Sequence, residues 1–364
     1  MYRFNFRARI ENYRKIMEDR GISISLFAPG SDMFYLSGIR IDTFERLTLL
    51  AVERDSLSLI VPRLEVQRVE DQVRFDGNLL DWTDGEDPYR IAHSLFSGKG
   101  RIAVSGNIQT RHLLRILRDQ SLSGIGISDD LLSILRRKKD PEELKSIERA
   151  TEISEKALEL TLADLREGMT EQEAARRMSD HFMELGSDNA AFGTIVSFGK
   201  NSASPHHEPS ADPLIKGNVA LFDFGARFSG YSSDTTRTFF YGSVNQKLKE
   251  IYNVVREAQE TAIEKALEGT PYSEVDAVAR NVITKAGYGK YFFHRTGHGL
   301  GIDVHEPPYV VSGNLERIEN GHVFTIEPGI YLPDTGGIRI EDTVYVRNGR
   351  CVPFNKYKKE MIVL

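Results

Sequence analysis

Residues 218–242, NVALFDFGARFSGYSSDTTRTFFYG, place apolar and β-branched residues on both sides of a turn near residues 227–230. This pattern predicts a β-hairpin. Asp223 and Asp234 lie at equal distances from that turn, so we expect them to face each other with Cβ atoms about 4.5–5.5 Å apart. Two carboxylates that close repel each other unless a cation lies between them.

A second hairpin is predicted for residues 322–346, HVFTIEPGIYLPDTGGIRIEDTVYV. Glu327 and Glu341 flank its turn, at residues 334–337, in the same manner. Ile338 and Ile340 are expected to face the core, which leaves Glu341 on the opposite face of the strand. Acidic residues within such apolar strands require a compensating partner.

Metal binding explains the four acids together, although each acid alone could pair with Arg237 or Arg339. Four carboxylates around one divalent ion would leave two surplus negative charges in a poorly solvated site, so two ions balance them better. Two ions about 3.5–4 Å apart can generate and hold a bridging hydroxide at neutral pH. Oxygen ligands with one imidazole favour Mn²⁺ or Co²⁺, with Zn²⁺ as a third candidate, over copper or an iron–sulfur cluster.

An internal repeat with a shift of 101 residues supports two related halves in this part of the chain. The matching positions are Glu167-Gly168 with Glu268-Gly269, Gly186 with Gly287, and Phe192 with Phe293. A helix start follows the first pair in each copy. Thr170 and Glu173 form a predicted capping box, and Ser273 with Asp276 is a looser version of it.

The preceding residues have a different pattern, which predicts an α/β domain over residues 1–130. Strands are expected at residues 22–28, 47–53, 56–62 and 101–106, and a helix at residues 108–119. A second domain, residues 131–364, is predicted because Asp140 and Pro141 provide an N-cap and a first helical position, followed by two glutamates. The basic run at residues 136–139 is interpreted as a solvated connection.

Composition excludes several functional classes. The chain has 364 residues, which is enough for two domains, and a net charge of -6, which argues against nucleic acid as the main partner. No apolar run approaches the roughly 18 residues that a membrane span requires, and we expect a cytoplasmic protein. The single cysteine, Cys351, permits no intrachain disulfide and is interpreted as a small apolar filler.

The residues Asp223, Asp234, His298, Glu327 and Glu341 resemble, in order and spacing, the five-ligand pattern of the two-metal peptidases with the pita-bread fold. That family includes prolidase, aminopeptidase P, methionine aminopeptidase and creatinase. The resemblance implies a creatinase/prolidase-type N-terminal domain, followed by an α+β pita-bread catalytic domain with a pseudo-twofold repeat. It also implies that Asp234 and Glu341 bridge two metals, that Asp223 completes one site, and that His298 and Glu327 complete the other.

The same resemblance assigns roles to further residues. Residues 295–308, RTGHGLGIDVHEPP, lack the spacing and the following helix of a dinucleotide-binding loop. In the family this segment carries the ligand His298 and a substrate-binding histidine, here His305. A second such histidine is expected at His206, with His207 in reserve. Glu327 is expected to carry the proton from the activated water to the leaving amine.

The implied activity is hydrolysis of the Xaa-Pro bond, with dipeptides as the first choice of substrate and a homodimer as the expected assembly. An Xaa-Pro aminopeptidase acting on longer peptides is the alternative. A metal-free creatinase-like hydrolase and a non-enzymatic binding protein fit less well, because all five ligand positions are intact. Tyr309 stands where prolidases commonly have an arginine that grips the dipeptide carboxylate, which leaves that role to Arg295, Arg339 or a residue of a partner subunit.

Overall fold

The computed structural model describes residues 4–42, 44–72, 76–96, 100–118 and 124–364. The described residues up to Arg136 form one compact unit, and Arg137–Leu364 form a second. None of the helices in the described residues combines the length and apolar character that a membrane crossing requires.

The N-terminal unit contains a six-stranded mixed sheet in the order β4-β3-β2-β1-β5-β6. Its strands are β1 (Ile22–Phe27), β2 (Leu49–Glu53), β3 (Leu57–Pro62), β4 (Asn78–Trp82), β5 (Arg101–Val104) and β6 (Ile125–Ile127). Its helices are α1 (Phe6–Asp19), α2 (Ser31–Ser37), α3 (Val66–Glu70), α4 (Pro88–Phe96), α5 (Thr110–Ile116) and α6 (Ser128–Arg136). The four predicted strands are confirmed. The helix predicted for residues 108–119 is shorter, and Asp119 lies outside the described residues.

The basic run at residues 136–139 is not a solvated connection, and that interpretation is wrong. Arg136 is buried and pairs with Asp32 at 2.5 Å within the N-terminal unit. Lys139 is buried and pairs with the buried Glu306 at 2.6 Å within the second unit. Charges of this kind are found inside proteins only when they are paired, which a count of charges along the sequence cannot reveal.

The second unit is built from four helices in the described chain and a set of antiparallel strands. The helices are α7 (Pro141–Asp164), α8 (Glu171–Glu184), α9 (Gln246–Lys265) and α10 (Tyr272–Lys285). The first strands are β7 (Asn189–Ala190), β8 (Ile195–Phe198), β9 (Val219–Phe224), β10 (Ala226–Phe228), β11 (Tyr231–Ser232) and β12 (Thr235–Phe240). The later strands are β13 (Gly297–Gly299), β14 (Glu306–Val310), β15 (Val323–Ile326), β16 (Gly329–Leu332), β17 (Gly336–Arg339), β18 (Asp342–Arg347) and β19 (Arg350–Pro353).

These strands form sheets in the orders β12-β9-β8, β11-β10-β7, β14-β13-β15-β18-β19 and β16-β17. One face of the larger sheet packs on α9 and α10, where apolar residues recur at helical spacing and are buried. Ile338 and Ile340 belong to this core, as predicted. Cys351 packs at its edge, which supports its interpretation as an apolar filler.

The internal repeat is visible in the helices and in their connections. Helices α8 and α10 have 14 residues each and begin 101 positions apart. Gly168 and Gly269 precede them with φ of 85° and 84°, and Gly186 and Gly287 follow them with φ of 86° in both copies. Only glycine adopts this left-handed backbone without strain, so the shared glycines mark shared turns.

The predicted helix starts are confirmed in two of three cases. Asp140 caps α7 with Glu143 as its reciprocal partner, and Thr170 caps α8 with Glu173. The prediction for Ser273 is wrong, because α10 begins at Tyr272 without a side-chain cap. Asp276 instead accepts hydrogen bonds from Arg280 and Thr296.

The first hairpin has a different register from the predicted one. Its turn is centred on Ser229 and Gly230, whose φ angles of 50° and 87° are those of a tight two-residue hairpin loop. Asp223 therefore lies opposite Thr236 rather than Asp234. Asp234 is displaced by two positions along the strand and stays on the same face, because side chains alternate with a period of two.

Candidate metal centre

Asp234, His298 and Glu341 come together at the centre of the second unit. One potential ligand atom from each lies within 4.8 Å of the others, and all three residues are buried. Asp234 immediately precedes β12, Glu341 lies between β17 and β18, and His298 lies in β13. These residues, far apart in sequence, converge because the two hairpins and the segment 295–308 meet here.

Asp223, on β9, is held by Arg339. The guanidinium donates through Nη2 to Asp223 Oδ2 at 2.6 Å. It also donates through Nε to Thr236 at 3.0 Å and through Nη1 to the Tyr331 hydroxyl at 2.8 Å. Arg339 is buried, so these bonds commit it to the protein and exclude it as the grip for a substrate carboxylate.

Glu341 is fixed through one of its two oxygens. Thr236 donates to Glu341 Oε2 at 2.7 Å, and Arg237 donates to the Glu341 backbone carbonyl. Arg237 itself is buried and pairs with Asp342 at 2.7 Å. Thr236 therefore orients the side chain of Glu341, and Arg237 holds its backbone.

The ring of His298 has the orientation that a metal ligand requires. Nδ1 lies 3.2 Å from the carbonyl oxygen of Gly299 and can donate to it. That bond selects the tautomer in which Nε2 carries a free lone pair. Nε2 faces Glu327 Oε1 at 3.2 Å and Asp234 Oδ2 at 3.7 Å. The glycines beside His298 allow close approach of the backbone, because a Cβ at Gly297 or Gly299 would clash with neighbouring carbonyl oxygens.

Two buried carboxylate oxygens of the cluster are available to a cation. Asp223 Oδ1 and Glu341 Oε1 have no hydrogen-bond partner among the described residues. Burial raises the pKa of the Asp234 carboxyl well above its usual range, and the neighbouring Glu341 raises it further. Burial also raises the pKa of Glu341, and the charge of Glu327 adds to that shift. Oxygen-rich clusters of this kind fit divalent cations.

Glu327 differs from the other acids. Burial would raise the pKa of its carboxyl, but the hydrogen bond and charge of His298 lower it to about 2. Across the gap between the β15–β18 and β16–β17 ladders, the register places Glu327 opposite Glu341. The second predicted pair of acids is therefore correctly matched, whereas the first is offset.

A cavity of about 290 Å³ opens over the cluster. All five predicted ligands line it, and so do His206 and His305. The His305 ring lies 4.2 Å from that of His298 in an edge-to-face arrangement. Burial and the charge of His298 lower the pKa of His305 to about 4.

His207 points elsewhere. Its Nε2 lies 2.7 Å from Glu171 Oε2, and the buried Glu171 also accepts bonds from the backbone of Phe198 and Ser210. Between the two neighbouring histidines, only His206 lines the cavity within the described residues.

Comparisons with known proteins agree with this geometry. Residues 145–348 match the model of Metallopeptidase family M24. Residues 9–130 match that of the Creatinase/Prolidase N-terminal domain. The chain belongs to metallopeptidase family M24.

Solved structures and a curated relative support the M24 assignment. The structure resembles a prolidase from Thermococcus sibiricus with a TM-score of 0.94 and 38% identity, over 100% of both chains. It resembles a dipeptidase from Pyrococcus horikoshii OT3 with a TM-score of 0.92 and 40% identity, over 98% of this chain and 100% of that chain. An uncharacterized peptidase of Staphylococcus aureus (strain bovine RF122 / ET3-1) is 35% identical, covering 90% of this chain and 93% of its own.

The predicted fold is confirmed. An α/β creatinase/prolidase-type domain is followed by a pita-bread catalytic domain with an internal repeat. The chain is a metallo-exopeptidase of the M24 family.

Three residues of this M24 site were not predicted from sequence as parts of the cluster. Tyr331 accepts from Arg339 and lies 3.0 Å from Nε2 of His294. His294 lines the cavity, and Thr236 links Arg339 to Glu341. His294 could have been noticed because it precedes His298 by four positions. Tyr331 and Thr236 carry no signal beyond ordinary strand residues.

Proposed function

We propose that this metallopeptidase hydrolyses the Xaa-Pro bond, primarily in dipeptides, with two divalent ions held by Asp223, Asp234, His298, Glu327 and Glu341. One observation carries the proposal: a buried cluster, in which two carboxylate oxygens have no hydrogen-bond partner among the described residues, forms the wall of a small cavity that His206, His294 and His305 also line. The chemistry that paired divalent ions supply when bound is a water activated at neutral pH and a Lewis acid for the scissile carbonyl.

The protein's own residues divide the remaining work. Arg339 and Thr236 hold Asp223 and Glu341, so the ligand oxygens are oriented before any ion binds. Glu327 would accept a proton from the attacking water and deliver it to the leaving imide nitrogen of proline. His305 and His206, which line the cavity, would donate hydrogen bonds to the scissile carbonyl as negative charge develops on its oxygen.

The small size of the cavity supports a short peptide as substrate. Its volume of about 290 Å³ lies at the lower end of the roughly 300–1,000 Å³ that is usual for small-molecule sites. The prolidase and the dipeptidase named above are 38% and 40% identical over 100% and 98% of this chain, which supports dipeptidase activity. Mn²⁺ or Co²⁺ suits the oxygen-rich ligand set, and Zn²⁺ is the third candidate.

Removal and return of metal tests the proposal. Elemental analysis of the purified protein is expected to give about two divalent ions per chain. Exhaustive chelation should abolish hydrolysis of Met-Pro, and added Mn²⁺ or Co²⁺ should restore it. Glu341→Gln and Asp234→Asn should lose both metal and activity and retain their circular dichroism spectra. Full activity in protein shown to contain no metal would overturn the proposal.

A further inference from the structure

Arg295 is a cation in the cavity wall that has no anionic partner in the part of the chain that the structure describes. It lines the same cavity as the carboxylate cluster and is only partly buried. Among the described residues, none of the ion pairs includes Arg295, whereas the other guanidinium of the cavity, on Arg339, donates a hydrogen bond from each of its three nitrogens to protein groups. A partly desolvated guanidinium that the protein leaves unpaired is suited to an anionic ligand.

Tyr309 holds this guanidinium by its face. The Arg295 guanidinium carbon lies 4.5 Å from the centroid of the Tyr309 ring, which is a cation–π contact. Stacking of this kind occupies the flat face and leaves the N–H groups at the edge free. Those edge donors match the two oxygens of a carboxylate in a bidentate pair.

Both residues are tied to the strand that carries the metal ligand. Tyr309 on β14 is the register partner of His298 on β13. The backbone beside Arg295 is fixed as well, because Thr296 donates its N–H to the carbonyl of Val310 at 2.9 Å. The position of the guanidinium is therefore set by the same ladder that sets the position of His298.

Helix α10 supports this segment from behind. Arg280 donates to the carbonyls of Phe292 and His294, each at 2.9 Å, and it pairs with Asp276. Asp276 also accepts from the Thr296 hydroxyl at 2.7 Å. The chain on both sides of Arg295 is consequently anchored to an ion pair whose acid, Asp276, is buried, which favours a preorganised binding group over a mobile surface side chain.

The charges of the cavity indicate which part of a substrate Arg295 would meet. Four carboxylates line the cavity, and they repel a second negative group that enters unless a cation receives it. A dipeptide has only one negative group, the carboxylate that directly follows the proline ring. In a longer peptide a neutral amide stands at that place.

We infer that Arg295 binds the C-terminal carboxylate of an Xaa-Pro dipeptide, with Tyr309 as the positioning residue that holds the guanidinium flat. The inference rests on the proposed function and narrows its substrate class to peptides that end at proline. It assigns the selectivity for dipeptides to a pair of residues outside the metal ligands.

Arg295→Gln provides the direct test, with paired ligands that differ only at the carboxylate. In metal-loaded enzyme, kcat/KM for Met-Pro should fall about 10- to 100-fold, mainly through KM, as expected for loss of a charged hydrogen bond. For Met-Pro-amide it should change less than about threefold. For Arg295→Lys, kcat/KM for Met-Pro should lie between the values of wild type and Arg295→Gln, because lysine keeps the charge and lacks the planar fork. Tyr309→Leu should raise KM for Met-Pro about 3- to 10-fold, and Tyr309→Phe should match wild type.

A binding measurement separates this inference from the proposed function. The probes are the reduced-bond analogue of Met-Pro, in which a methylene replaces the scissile carbonyl, and its C-terminal amide. Calorimetric titration should show that wild type prefers the carboxylate and that Arg295→Gln does not, with metal content unchanged. If wild type cleaves no Xaa-Pro peptide, the proposed function fails, while the binding ratio still decides the role of Arg295. The inference is overturned if the variant keeps the wild-type preference, if wild type has none, or if both ligands weaken equally.

Discussion

Arg339 donates to Oδ2 of Asp223 at 2.6 Å and leaves Oδ1 without a hydrogen-bond partner among the described residues. A buried arginine thus determines which carboxylate oxygen is available to a cation. Because Arg339 also binds Thr236, which in turn binds Glu341, one guanidinium orients acids from both hairpins. This link explains how the two halves of the repeat are held in one site.

Arg339→Met is expected to destabilise the metal-free protein strongly. It leaves the buried Asp223 carboxylate unpaired and removes donors from Thr236 and Tyr331, which should lower the free energy of unfolding by about 3–5 kcal/mol. Differential scanning calorimetry in the presence of a chelator measures the effect. Arg295→Met is the matched control, since it removes a cavity arginine that has no ion pair among the described residues and only a cation–π contact with Tyr309, so it should lower the free energy of unfolding by about 1 kcal/mol at most. Equal melting temperatures for the two variants would contradict this role of Arg339.

Substitutions of His298 and His305 are expected to impair different properties of the enzyme. His298→Ala should lose bound metal, because Nε2 faces Glu327 and Asp234. His305→Ala should keep near wild-type metal content and lower kcat for Met-Pro by roughly 10² or more, as for loss of an oxyanion-hole donor. Elemental analysis beside steady-state kinetics distinguishes them. His207→Ala serves as a control outside the cavity and should retain both metal and kcat. Identical metal contents for His298→Ala and His305→Ala would show that the roles are misassigned.

Much of this site could be predicted because strand periodicity and residue type carry most of the information. Acids at matching places in two apolar hairpins are costly unless they bind something, so Glu327 and Glu341 could be paired from the sequence alone. The offset of Asp223 from Asp234 could not be predicted from the sequence. It depends on a tight turn at Ser229, a residue that seldom adopts positive φ.

Long-range partners were the other part that sequence reasoning missed. Lys139 and Arg339 are buried in ion pairs with Glu306 and Asp223, respectively. These partners are distant in sequence and become adjacent only after folding. A basic run has the same composition whether it is solvated or buried in ion pairs. The choice between His206 and His207 likewise depended on Glu171, whose place behind the loop is set by helix α8.

His322 is expected to make stability depend on pH. Burial and the nearby charges of Lys139, Arg137 and Lys138 lower its pKa from 6.5 to about 4. Its Nδ1 lies 2.8 Å from the Tyr272 hydroxyl and also accepts the Glu319 N–H, so the folded protein keeps the ring neutral. Between pH 6.5 and 4 the unfolded chain binds the extra proton, and the histidine's contribution to stability is therefore lost as pH falls.

The effect of His322 can be isolated with His322→Asn, which retains an acceptor for Tyr272. The difference in free energy of unfolding between wild type and the variant should shift against wild type by about 1.4 kcal/mol between pH 7.5 and 5.5. Urea unfolding of wild type and variant, both in the presence of a chelator, measures this difference at each pH. The other titratable groups are the same in both proteins, so their contributions cancel in the difference. Parallel stability curves across this range would refute the prediction.

Turnover of Met-Pro, Met-Pro-Gly and Met-Ala by one metal-loaded preparation is the most direct test of Xaa-Pro dipeptidase activity. Met-Pro should have the highest kcat/KM, Met-Pro-Gly a lower value because Arg295 then faces a neutral amide, and Met-Ala little turnover. Faster cleavage of Met-Pro-Gly than of Met-Pro would contradict dipeptidase activity, and turnover of Met-Ala equal to that of Met-Pro would contradict specificity for proline.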